Sequence, residues 1–350
     1  MTELPRHFPI GGYLELAVAD MQTCERSVWE VWTEHRPTFT FRNARSALVW
    51  LLESLGCPRV WLPAYLCRDV VEAVEVTAKC RAAFYPVGSD LCSEVDFIEK
   101  VPDGDAVVWV RYFGRPMSPV AVDAVKARPG ILHIEDRALA LDADDSVCNW
   151  MLYSPRKLLG VPDGGLAVHN RGEIPDRPPP PPKDPDAILA AVAPRLLRLE
   201  DPSMQSMQYQ SYVKAEEAMA ADMREPARLT LEILRRLSFS TISTARRGNW
   251  AQLYRSLGHL CLWQEPEPYW TPAGLPIVVK SAESLGSALA SEGIFCPRHW
   301  HPLQSPGDSF PEEHMLSRGL LTLPCDHRLS IDDKERLVEA VLRLVTTTGC

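Results

Sequence analysis

Residues 131–168 read ILHIEDRALALDADDSVCNWMLYSPRKLLGVPDGGLAV, and the order of features in this stretch decides the fold. ILHIE is a short apolar run that predicts a buried strand with Asp136 at its carboxyl end. Twenty-one residues later comes Lys157, in S-x-x-K (Ser154 to Lys157), followed by the pair Gly164–Gly165. Two more short strands are expected at 148–152 and 164–168. Upstream the same alternation continues. Helical spacing over 44–55 puts Leu48, Leu51, Leu52 and Leu55 on one stripe, and strands are expected at 59–62, 82–86 and 106–111. Helices are expected at 68–78, 92–101 and 118–127. Strands alternating with helices predict an α/β domain with a mostly parallel sheet, whose chemistry gathers at the carboxyl ends of the strands.

Downstream, PDRPPPPPKDP (175–185) carries seven of the thirty-one prolines and reads as a stiff surface connection. Residues 186–240 read as helical. After 270 a mixed pattern returns, with strands near 275–280 and 319–323 and helices over 282–292 and 332–345. Two units are expected: a large α/β domain over 1–240, and a smaller α+β domain over 241–350.

Composition narrows the function. Hydrophobic residues make up 46% and charged residues 24%, enough apolar material for a sizeable core. The 37 basic against 46 acidic residues, net charge −9, argue against a nucleic-acid partner held by phosphate neutralisation. No apolar run approaches the roughly 20 residues of a membrane span. MTELPRHFPIGG lacks a signal-peptide pattern, so a cytoplasmic enzyme is expected. The ten cysteines include no C-x-x-C, and the nine histidines no H-E-x-x-H, so no metal is expected. His299 and His301 flank Trp300 and read as part of a polar loop.

A carboxylate at a strand end, a lysine in S-x-x-K and a downstream Gly-Gly pair together suggest pyridoxal 5′-phosphate (PLP) chemistry. That cofactor needs a lysine amine for its Schiff base and an anionic partner for its pyridinium nitrogen. It also needs donors for its phosphate, commonly the amides of a helix N-terminus. Asn43-Ala44-Arg45-Ser46 opens the first long helix and offers such amides. Arg45 and Ser154 would add a charge and a hydroxyl.

These residues resemble the DegT/StrS-type (DegT/DnrJ/EryC1/StrS) branch of the aspartate-aminotransferase-like fold, PLP fold type I, and within it a compact subgroup. The matching stretches are IGGYLEL (10–16), RNARSAL (42–48), WLPAYLC (61–67), VRYFG (110–114), EDRALA (135–140), YSPRKLLGVPDGG (153–165), RRGNWAQL (246–253) and LPCDHRL (323–329). The resemblance implies a homodimer, with Lys157 as the Schiff-base lysine and Asp136 as partner of the ring nitrogen. It implies that Ala44, Arg45, Ser46 and Ser154 contact the phosphate, and that Tyr65, Cys67 and Ala138 lie against the cofactor. It further implies amine transfer from an amino-acid donor such as glutamate to a small or sugar-like carbonyl substrate. The substrate carboxylates need cations, for which Arg156, Arg247 and Arg298 are candidates, with Trp300 as a wall.

Four positions depart from the family pattern. Leu139 stands where Gln or His is usual, Arg137 where a small or polar residue is usual, and Leu66 in place of Thr. Cys67 stands where a stacking aromatic is expected. These changes keep two alternatives open: a PLP enzyme of another reaction type, such as decarboxylation, elimination or carbon–carbon bond formation, and a non-catalytic relative. In the helical middle, Met204, Met207, Met219 and Met223 read as core or interface packing, and Tyr209 and Tyr212 as a candidate pocket wall.

Overall fold

The computed structural model of the 350-residue chain describes residues 9–78, 80–176, 184–201, 205–219 and 223–348. Its centre is a seven-stranded sheet in the order β2-β8-β7-β6-β5-β3-β4. In chain order the strands are β2 (Thr38–Phe41), β3 (Arg59–Pro63), β4 (Arg81–Tyr85), β5 (Ala106–Val110), β6 (Leu132–Asp136), β7 (Trp150–Tyr153) and β8 (Gly165–His169). Neighbours from β4 through to β7 run parallel, and β8 is antiparallel to both β7 and β2. Three short strands lie at β9 (Gly274–Val278), β10 (Ile294–Phe295) and β11 (Leu320–Pro324). β9 pairs antiparallel with β11, and β10 pairs parallel with β1 (Ile10–Gly11), which ties the start of the described chain to its C-terminal part. This is the mostly parallel α/β arrangement that the alternation predicts.

The helix Ala44–Ser54 begins where expected because Asn43 caps it: the Asn43 side-chain oxygen accepts the Ser46 backbone N–H at 2.9 Å. Leu48, Leu51 and Leu52 are buried with Ile134 of β6 and Leu62 of β3 in one apolar cluster. A second cluster runs from Tyr65, Tyr85 and Trp109 to Trp250, Leu275 and Leu321, so the C-terminal elements pack directly onto the large sheet's side chains.

Two elements differ from the sequence reading. The expected helix at 92–101 is only a 3₁₀ turn at Asp96–Lys100. Its two buried residues, Phe97 and Ile98, are adjacent in sequence, which a single turn satisfies. β2 was not expected: TFTF is short, and it becomes a strand by pairing with β8. The helical middle consists of the helices Pro185–Glu200, Gln205–Ala218 and Arg228–Leu234. Residues 177–183 of the proline-rich stretch, Met204, and the Met207 side chain lie outside the described residues. Met219 is buried and Met223 packs against the first apolar cluster, a packing role for both. No helix among the described residues is long and apolar enough to cross a membrane.

Gly164 and Gly165 join the lysine loop to β8. Gly164 has φ +117°, a conformation that favours glycine. A Cβ at Gly165 would stand 2.0 Å from the Asn43 carbonyl carbon and 2.3 Å from the Ala44 nitrogen. Those are backbone atoms, which no rotamer change can move aside. We therefore expect Gly165→Ala to lose at least about 2 kcal/mol in denaturant unfolding through forced backbone displacement. Unchanged stability would show that the close approach is not required.

Candidate active site

Strand register builds the site. Asp136, the last residue of β6, sits opposite Leu152 of β7, and β7 runs directly into Ser154, Pro155, Arg156 and Lys157. Alternation along β6 places Asp136 on the same face as Ile134, which packs with the helix Ala44–Ser54. The Gly164–Gly165 approach brings the start of that helix against the same loop. The carboxylate, the amine and the helix N-terminus therefore converge at one end of the sheet.

Lys157 opens into a cavity of about 730 Å³. Leu139, Cys67, Arg156, His299 and Trp300 line it, as do Tyr13, Tyr209, Tyr212 and Glu216. The Lys157 Nζ lies 6.0 Å from the centroid of the Trp300 ring. Asp136 is buried, and burial pushes its carboxyl above the usual carboxylate range, opposed by the charge of Lys157 and by the Ala138 N–H. That N–H, donated to Oδ1 at 2.8 Å, is the hydrogen bond the carboxylate receives among the described residues. A buried carboxylate with so little compensation suits a cationic partner.

The first helical residues, Ala44 and Arg45, carry N–H groups that the helix itself cannot satisfy. Ser154 is buried, and its hydroxyl makes no hydrogen bond to described residues. Both features fit a phosphate. Ser46 has a different placement: its hydroxyl and its N–H both reach Asn43 Oδ1, at 3.1 and 2.9 Å, in the helix cap. Arg45 pairs with Asp69 at 2.9 Å. Tyr65 is buried outside the cavity wall and donates its hydroxyl to the His299 carbonyl, so it supports the wall from behind.

The cation candidates separate. Arg156 lines the cavity and is paired with Glu216. Arg247 does not reach the cavity wall, because successive helical residues point about 100° apart; its buried neighbour Arg246 lines the cavity instead. Arg246 donates to the carbonyls of Leu158, Ala273 and Pro272 at 2.8, 3.2 and 3.3 Å. Arg298 also lies outside the wall, 3.7 Å from Glu283. Sequence reasoning passed over Tyr13, Glu216 and Arg246. Tyr13 stacks on Tyr212 with centroids 4.5 Å apart, a contact between residues nearly two hundred positions apart that no local pattern signals.

Two of the four family departures are not in the cavity. Leu66 is buried in the apolar cluster beside Leu62. Arg137 follows Asp136 and so points to the opposite face of the sheet, where it bonds Glu135 at 2.8 and 3.0 Å and the Tyr153 hydroxyl at 2.9 Å. Arg137 is therefore part of a structural ion pair, and this departure does not alter the cavity. Leu139 and Cys67 do line the cavity, and burial pushes the Cys67 thiol up.

The whole-chain geometry matches solved structures. Spr1654 from Streptococcus pneumoniae, a sugar-aminotransferase candidate solved in its PLP form, superposes with TM-score 0.68 at 13% identity, over 97% of this chain and 99% of that one. DesI, solved with its TDP-sugar product, gives 0.65 at 17% identity over 97% and 95%. A DegT DnrJ EryC1 StrS aminotransferase from Brucella abortus gives 0.61 at 16% over 94% and 93%. The chain has their fold. No family model matches the sequence, and no curated protein matches it. The α/β class and the fold-type-I architecture expected from the sequence are thus observed.

Two outcomes follow from the burial of these charges. At neutral pH the Asp136 carboxylate costs folding stability, because its pKa is raised on folding, and the cost is relieved as pH falls through the folded pKa. Asp136→Asn should therefore make the cofactor-free chain more stable at neutral pH, with the gap closing on acidification in thermal unfolding. A less stable variant at neutral pH would contradict that. Arg137→Met leaves Glu135 buried beside a weaker partner, Arg111 at 3.8 Å. We expect a loss of about 3–5 kcal/mol in urea unfolding.

Proposed function

We propose that the chain is a PLP-dependent aminotransferase that moves an amino group from an amino-acid donor to a small or sugar-like carbonyl substrate. The observation that carries this is the convergence of Asp136, Lys157 and the N-terminus of the helix Ala44–Ser54 at one sheet end. The fold shared with Spr1654 and DesI supports it, as does the binding of a TDP-sugar product by DesI. When bound, PLP supplies an aldehyde and an electron-accepting ring.

Each residue then has a task. Lys157 would hold the group through its amine and, once that amine is free, would serve as the base that moves a proton at the substrate carbon. Asp136 would pair with the protonated ring nitrogen, which would offset the carboxylate's own burial. The Ala44 and Arg45 amides and the Ser154 hydroxyl would hold the phosphate. Tyr13, Tyr212 and Trp300 exclude water and wall the substrate side. Arg156 serves a donor carboxylate if Glu216 yields it. A cytoplasmic homodimer is part of the same reading.

The same lysine and aspartate would serve other PLP reactions, and Cys67 and Leu139 in the cavity keep such chemistry in view. Absorbance separates the readings. The purified protein given PLP should show a Schiff-base band that is lost in Lys157→Ala, and glutamate should convert it to the pyridoxamine form. A band that glutamate leaves unchanged would favour another PLP reaction, and no band would remove the enzyme reading. Lys157→Ala should slow turnover by at least about 10²-fold.

A further inference from the structure

His299 is held on three sides. Its carbonyl accepts the Tyr65 hydroxyl, its ring stands edge-on to Phe113 with centroids 5.6 Å apart, and its Nδ1 lies 2.9 Å from Thr322 Oγ1. The ring lines the same cavity as Lys157 and Trp300. Nε2 has no hydrogen-bond partner among the described residues, and it is not sealed from the cavity.

Thr322 decides the tautomer. Thr322 is buried on β11, and His299 Nδ1 is the hydrogen-bond partner its hydroxyl has among the described residues. If Nδ1 carried the proton and donated it, the Thr322 O–H, on a buried residue at the edge of the same cavity, would have no acceptor among the described residues, which costs about 1–3 kcal/mol. If the Thr322 hydroxyl donates instead, nothing on that side is left unmatched. Nδ1 is then the acceptor and the proton sits on Nε2, facing the cavity. Burial and the charge of Lys157 push the imidazole's pKa down to about 3, so the ring stays neutral.

We infer that His299 is a neutral N–H donor that receives the substrate's carbonyl oxygen through Nε2–H in the cavity it shares with Lys157. The inference rests on the aminotransfer reading for the carbonyl, and on the structure alone for the tautomer. A carbonyl carbon attacked by an amine shifts its π pair onto oxygen, and a fixed N–H in a dry site stabilises that charge. A neutral imidazole does so without adding a second cation beside Lys157. The proton stays on Nε2, and no bond to it breaks.

Two measurements test this. In the cofactor-free protein, ¹⁵N NMR of labelled histidines, with His299→Gln assigning the signal, should show Nε2 protonated and Nδ1 bare, without titration between about pH 5 and 8. Thr322→Val should remove that preference. In PLP-loaded protein first converted with glutamate, 2-oxoglutarate should restore the original band. His299→Gln, which presents an N–H near the Nε2 position, should stay within about 5-fold of wild type, whereas His299→Asn, which reaches only the Nδ1 position, should fall by about 10²-fold. An Nδ1–H tautomer, or equal rates for the Gln and Asn variants, overturns the inference. Failure of glutamate to convert the wild-type band overturns the proposed function and the carbonyl assignment with it, while the NMR result still decides the tautomer.

Discussion

The structure depends on a contact with no side chain in it. Gly165 lets the Asn43–Ala44 peptide come within 2.0–2.3 Å of where a Cβ would stand. That contact sets the helix N-terminus against the loop carrying Lys157, while the β6–β7 register sets Asp136 beside the same loop. A helix start, a lysine and a carboxylate from three segments of the chain therefore share one end of the sheet. Moving the helix outward to make room for a methyl group would separate its free amides from the lysine, however well each segment folded.

The arrangement also divides the charges between two faces. Asp136 lies on the face of the Ala44–Ser54 helix, near the charge of Lys157, and its neighbours Glu135 and Arg137 face away, joined to Arg111 and Asp144. The pleat of one strand thus separates a carboxylate short of partners from one that has several. The first is held above the usual carboxylate range by burial, the condition in which a ligand cation is most welcome. The second belongs to an ion-pair network with Arg111 and Arg137 that costs stability when broken.

Much of the architecture was legible in the sequence because it rests on local periodicity. The strand ending at Asp136, the helix capped by Asn43, the lysine loop and the glycine pair are short-range patterns, and the structure has each of them. The misses have a common physical cause. β2 is a strand because β8 supplies its hydrogen bonds, and 92–101 is no helix because two adjacent buried residues need only one turn. The cavity wall was less legible still. Arg246 rather than Arg247, and His299 rather than Arg298, face the cavity, and a side chain's direction about a helix or loop depends on what packs behind it.

By itself the sequence determined the fold class, the strand-end aspartate and the lysine that follows it, since composition and short periodicities settle which segments are apolar and where they stop. Tertiary structure alone decided which side chains share the cavity with that lysine. It paired Arg156 with Glu216, turned Arg137 to the far face, stacked Tyr13 on Tyr212, and put Thr322 beside His299. Except for Arg137, whose turn the pleat imposes, each of these joins residues 23 or more positions apart. Such pairs are chosen by long-range packing, to which the spacing of residues along the chain carries no information.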